Sequence, residues 1–219
     1  MKISKSELLA EFIGSMFLVM VAISPMILFS SVFEAPDSIA VFANAVAVAF
    51  VLFALIEMFG SVSGAHFNPV VTMVMFFEKK VGLKKAVFFV LVQIAGGILG
   101  TVFSHLMFFE NIGELISVSQ NSRSGYVFFG EIFGTFILLL AILMLVKNGS
   151  EKISIAIGLL VGGQIMATSS TMFANPQVTI ARMFTASSAG IRPLDGLIFI
   201  FMQIVGALLA YVIYRLMRD

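Results

Sequence analysis

The sequence contains no cysteine and no tryptophan, and only 11% of its 219 residues are charged. Without cysteine there is no disulfide frame, no thiol nucleophile and no thiolate metal site. Without tryptophan, any aromatic belt at a membrane surface must come from Tyr126, Tyr211, Tyr214 and the phenylalanines. So little charge excludes the water-facing surface of a soluble domain. The net charge of +1 with no basic cluster leaves no footprint for nucleic acid, so none is expected as a partner. There is also no nucleophile–base pair, metal-ligand cluster or phosphate-binding glycine loop. No catalytic residue, metal or cofactor is therefore expected, and the chain does not read as an enzyme.

What the sequence has is hydrocarbon. Hydrophobic residues make up 60% of it and the mean hydropathy is +1.09. They fall in runs near 7–29, 39–61, 84–108, 126–147, 153–171 and 194–215, each long enough to cross ~30 Å of hydrocarbon as a helix. The charged start followed by Leu8 to Leu28 reads as a retained first span rather than a cleaved signal. The prediction is an all-α membrane protein: one transmembrane domain over 1–219 with six spans. Two shorter apolar pieces remain, Asn68 to Phe77 and Asn175 to Phe184. Ten helical residues rise only ~15 Å, half a membrane, so these are predicted to be re-entrant half-helices.

Basic residues give the orientation. If the N-terminus is inside, Lys2, Lys5, Lys79, Lys80, Lys84, Lys85, Lys147, Lys152, Arg215 and Arg218 share the cytoplasmic side. Only Arg123, Arg182 and Arg192 fall outside. This satisfies the positive-inside rule only when each short piece leaves by the face it entered. Both termini are then cytoplasmic, and the chain is expected in the cell's inner membrane.

The two halves repeat, roughly as 1–110 and 125–219. AEFIGSMFLVM from Ala10 matches GEIFGTFILLL from Gly130, pairing Glu11 with Glu131. HFNPVVT matches FANPQVT, pairing Asn68 with Asn175, and QIAGGILG from Gln93 matches QIVGALLA from Gln203. Three spans per half is odd, so the second copy is inverted. Asn before Pro at the start of a short helix has a direct reading. Asn is a strong N-cap, and Pro suits the first turn, where its missing N–H is not needed. Two such tips would meet at the midplane, where irregular backbone is tolerated only if buried or lining a wet cavity.

With SGAHFNPVVT at Ser63 to Thr72, the inverted repeat and two half-helices, the chain resembles the aquaporin (major intrinsic protein) family over nearly its whole length. The resemblance implies a right-handed bundle with one pore per subunit, assembled as a homotetramer in lipid. It implies that Asn68 and Asn175, each followed by Pro69 or Pro176, donate to a single file of permeant molecules. It places His66 in the cytoplasmic half of that file. Glu11 and Glu131 would stand behind the half-helix loops and accept their orphan N–H groups. The implied cargo is water and small neutral solutes.

Departures from the family pattern stand out. The third motif residue, usually Ala, is Val70 in the first copy and Gln177 in the second. Gln177 either lines the pore or packs behind it. Counted without gaps, the four positions of the family's outer constriction are Val48, Gly163, Met172 and Val178. None is charged or a large aromatic, whereas strict water channels carry Arg at the last. This filter is expected to be wide, passing glycerol or arsenous acid, and it is similar to that of a bacterial branch associated with arsenic resistance. Arg182, one turn beyond Val178, either reaches the mouth or sits at the outer surface. Glu57 faces loop backbone or the cytoplasmic vestibule, His105 reads as an interface histidine, and the pairs Gly96-Gly97 and Gly162-Gly163 as close helix crossings. The alternatives are a strict water channel and an ion- or proton-coupled transporter, which also uses broken helices.

Overall fold

A computed structural model describes residues 3–218; Lys2, assigned above to the cytoplasmic side, lies outside them. Among the described residues the ordered elements are all helical. They are α1 (Lys5–Ile27, prolonged by a π-helical turn Leu28–Val32), α2 (Asp37–Ser63), α3 (Pro69–Phe77), α4 (Leu83–Met107), α5 (Phe109–Ile112), α6 (Val127–Lys147), α7 (Ile153–Ala167), α8 (Pro176–Arg182) and α9 (Pro193–Met217). Five are long and apolar enough to cross a membrane: α1, α2, α4, α6 and α9. The sixth expected span, 153–171, differs. Its helix α7 has 15 residues and stops at Ala167, because the chain turns at Thr168 into the irregular lead-in to α8.

Side-chain contacts fix the directions. Lys85 at the start of α4 pairs with Glu7 at the start of α1, 2.5 Å apart, so these helices run parallel. Lys147 at the end of α6 donates to the Met217 carbonyl at the end of α9, 3.3 Å away. Glu78, in the loop that leads to α4, pairs with Arg218 at 2.8 Å. The start of α1 and the end of α9 therefore lie on one face, called here the terminal face. In each half one helix pair packs tightly because glycine removes the side chain between backbones. A Cβ at Gly96 would stand 2.3 Å from the Phe12 carbonyl oxygen, and one at Gly206 2.5 Å from that of Ile132. Gly162 is likewise closed in by α2, with Ala49 Cβ 2.7 Å from where its own would be.

The two half-helices enter from opposite faces and meet by their N-termini. Both begin as the sequence predicts. Asn68 and Asn175 are extended N-caps whose side-chain oxygens accept from the N–H groups of Val70 and Gln177, with Pro at the first helical turn. The second ends sooner than the predicted Phe184, at Arg182.

Candidate functional site

The approach to each tip is strained in the same way. Ala65 and Phe67 before Asn68, and Met172 and Ala174 before Asn175, all have positive φ, between 37° and 49°. Non-glycine residues in this region persist only when their surroundings hold them, and such strain gathers at functional sites. Here the holding group is a buried carboxyl from the neighbouring span. Glu11 of α1 accepts from the N–H groups of His66 (2.9 Å) and Phe67 (2.8 Å), from Ser63 Oγ (2.6 Å) and from Gln93 Nε2 (2.8 Å). Glu131 of α6 accepts from the N–H groups of Phe173 (2.9 Å) and Ala174 (2.8 Å) and from Gln203 Nε2 (2.6 Å). Each glutamine also donates to the threonine of its own half-helix, Gln93 to Thr72 and Gln203 to Thr179. These acceptors satisfy orphan donors that lipid cannot.

The tips are cross-linked to each other. Asn68 Nδ2 donates to the Ala174 carbonyl at 2.9 Å, and Asn175 Nδ2 donates to the Phe67 carbonyl at 2.8 Å. One N–H of each amide is thus committed and the other is left over. Gln177 adds a second donor to Phe67, at 3.2 Å. It is fully buried and packs behind the tip, where the missing side chain of Gly97 leaves room: a Cβ there would lie 2.2 Å from Gln177 Oε1. Val70, also buried, is absent from the cavity wall.

A cavity of about 600 Å³ runs past this junction. Its terminal-face end is lined by Glu57, Lys80, Lys85 and Ser154, with Glu57 accepting a hydrogen bond from Ser154 Oγ. Glu57 therefore faces the vestibule. His66 comes next, its Nδ1 3.0 Å from Thr72 Oγ1 and its ring edge-on to Phe89. Asn68 and Asn175 line the middle. Beyond them stand Val48, Met172 and Val178, all buried and all in the wall, and then Arg182.

Gly163 does not belong with them. It is exposed and off the cavity wall, while Ile165 lines it. The physical reason is helix phase. Gly158, Gly162 and Ile165 share the inward face of α7, with Gly158 and Gly162 against α2, and position 163 is rotated ~100° from 162. Gapless counting back from Asn175 ignores the irregular segment after Ala167. A search for the next bulky residue on the glycine-marked face would have found Ile165.

Arg182 is not at the surface. Only 5% of it is exposed. Its Nε donates to the Ala189 carbonyl at 2.5 Å and its guanidinium lies 3.7 Å from the Phe173 ring centroid. Its place at the C-terminus of α8 suits its charge. His105, read above as an interface histidine, is instead a buried strut. Its ring bridges the Leu115 carbonyl (3.0 Å) and Thr185 Oγ1 (2.7 Å), tying two loops of the face opposite the termini. Arg192 on that face is held to Asp195 at 2.9 Å, which raises its pKa above the usual guanidinium value. Asn44, buried in α2 and lining the cavity, was missed. A lone amide one turn from Val48 in an apolar span was the signal. Among the described residues no cluster of acidic, His or Cys side chains could hold a metal.

Comparison with known proteins matches residues 2–214 to the family model "Major intrinsic protein". The chain is 33% identical over 207 residues to the aquaglyceroporin AqpS of Rhizobium meliloti (strain 1021), covering 94% of this chain and 87% of that one. It is 30% identical to Aquaporin-4 of Notomys alexis over 111 residues, 49% of this chain and 34% of the relative. Its fold is similar to the X-ray structure of the aquaglyceroporin from Plasmodium falciparum, with a TM-score of 0.69, 22% identity and coverage of 95% and 93%.

Proposed function

Because the chain belongs to the major intrinsic protein family, we propose that it is a passive membrane channel, not an enzyme, for water and small neutral solutes such as glycerol. The observation that carries this reading is the crossed pair of asparagines on the wall of the 600 Å³ cavity. Each amide is locked by one N–H and offers the other to whatever passes. A solute that sheds its water is partly repaid by fixed donors, while the opposed half-helix ends and neutral amides give a cation or proton no negative charge at the centre. A coupled transporter would need a titratable group at the meeting point; Asn68, Asn175 and Gln177 are amides.

Immediately beyond the tips, inside Asn44 and Arg182, the wall is a collar of Val48, Met172 and Val178. Apolar and uncharged, it supports passage of solutes larger than water, with glycerol and arsenous acid as candidates. The terminal face, which carries Lys80, Lys85, Lys147 and Arg218, is taken as cytoplasmic by the positive-inside rule, in the cell's inner membrane. Exposed phenylalanines along the spans, among them Phe50, Phe133 and Phe201, suit lipid and the neighbouring subunits of a homotetramer. The test is stopped-flow light scattering of proteoliposomes under gradients of sucrose, glycerol, urea and arsenous acid. Water and glycerol flux above that of empty liposomes supports the reading; no flux of any of them overturns it.

A further inference from the structure

The apolar ring of Val48, Met172 and Val178 occupies the register where the outer constriction was expected, yet it is not where the large cavity meets the next one. A second, smaller cavity of about 140 Å³ opens toward the face opposite the termini. Three residues border both cavities: Asn44, Ile165 and Arg182. They form the neck between them. Val48, Met172 and Val178 border the larger cavity alone.

The neck residues share a simple relation to the ring. Asn44 precedes Val48 by one turn in α2, and Arg182 follows Val178 by one turn in α8. Given the direction of each helix, both displacements are outward, by ~6 Å. Both side chains are buried and pinned so that one end is fixed and the other is free. Asn44 Nδ2 donates to the Val21 (3.2 Å) and Ala22 (3.0 Å) carbonyls, which turns its Oδ1 away from α1. Arg182 Nε is tied to Ala189, and the guanidinium plane rests on Phe173. Its two Nη groups have no acceptor among the described residues, and neither they nor Asn44 Oδ1 are among the buried atoms left without a partner. They face the open space.

We propose that the specificity-determining station of this channel is the Asn44–Ile165–Arg182 neck, one helical turn outside the Val48–Met172–Val178 collar, and that it recognises small neutral hydroxylated solutes. The planar fork of Arg182 presents up to four N–H donors, Asn44 presents an acceptor, and Ile165 supplies an apolar wall for a carbon backbone. A polyol has both hydroxyl donors and acceptors and one greasy edge, so it fits this set. The fixed positive charge repels cations before they reach the asparagines. The collar inside it acts by width alone. This rests on the channel reading, and the experiment separates the two.

Glycerol and water permeabilities and proton leak are measured in proteoliposomes of wild type, Arg182→Met, Arg182→Lys and Val178→Ala. Methionine keeps the length and removes donors and charge. Arg182→Met is expected to lower the glycerol-to-water ratio roughly fivefold, the worth of one net hydrogen bond, and to raise proton leak. Arg182→Lys keeps the charge but not the fork, so the ratio falls while the leak stays low; it carries the test if Arg182→Met does not elute as assembled protein. Val178→Ala widens the collar and raises both fluxes together. An unchanged ratio in both Arg182 variants, or a larger change of ratio in Val178→Ala, overturns the placement of the neck while leaving the channel intact. A wild type that passes neither water nor glycerol overturns the channel reading instead.

Discussion

The two re-entrant segments, Ser63 to Phe77 and Ser170 to Arg182, are built on one frame and dressed differently. Each has a buried Glu behind its loop, a Gln–Thr brace, three positive-φ residues and an Asn-Pro cap. What differs is what the frame shows to the cavity. His66 lines the first approach where Phe173 lines the second, and Met75 holds the position in the first half-helix that Arg182 holds in the second. The frame is set by a requirement common to both, satisfying backbone in lipid. The lining is free to vary, and in the proposed channel it is what would set the selectivity.

The frame is where substitution should cost most. Glu11 has four donors and Glu131 three. Glu11→Ala and Glu131→Ala each strand buried N–H groups, on the order of 3–5 kcal/mol. The expected outcome is loss of assembled protein on size exclusion, with Glu11→Ala the worse. Equal wild-type yields for both would break the idea of a shared supporting frame.

The tips come next. Removing either Asn loses a cap, roughly 0.5–2 kcal/mol, and a crossed hydrogen bond of about 1 kcal/mol. The halves are not equal here, because Phe67 keeps Gln177 as a donor when Asn175 is lost, whereas Ala174 has no such reserve among the side-chain bonds of the tips. Asn68→Ala should therefore lower the thermal midpoint in detergent more than Asn175→Ala. The reverse order would contradict the bracing role of Gln177.

Among the lining residues, Val178→Arg places five donors and a charge in the apolar collar. Glycerol permeability should fall about tenfold more than water permeability, the size of effect one ill-fitting group has in a close pocket. Parallel losses of both would show that the collar does not act by width. The smallest change is Gln177→Val, which makes the second tip resemble the first at Val70. It gives up the bond to Phe67 but also removes the unpartnered Gln177 Oε1, so stability should stay within about 1 kcal/mol of wild type. A large drop in thermal midpoint would show that Gln177 holds the junction together.

The frame was legible in the sequence because its parts are local or repeated. Asn-Pro marks a helix start by its own chemistry, and three matched blocks fixed the pairing of Glu11 with Glu131. The lining was less legible, for reasons of phase and reach. Gly163 was misplaced because a helix turns ~100° per residue and the segment after Ala167 is irregular. Arg182 had two readings because a long side chain can point to the mouth or to the surface, and only packing against Phe173 and Ala189 decides. Asn44 and His105 were underread because an isolated polar residue in a span does not announce its partner.

The central claim, passive passage of neutral solutes past an amide junction, is tested most directly by glycerol flux into proteoliposomes with and without an imposed proton gradient. The account predicts that glycerol enters faster than into empty liposomes, at the same rate in both conditions and stopping at equal concentration. Entry that needs the gradient, or accumulation above the outside concentration, would contradict it.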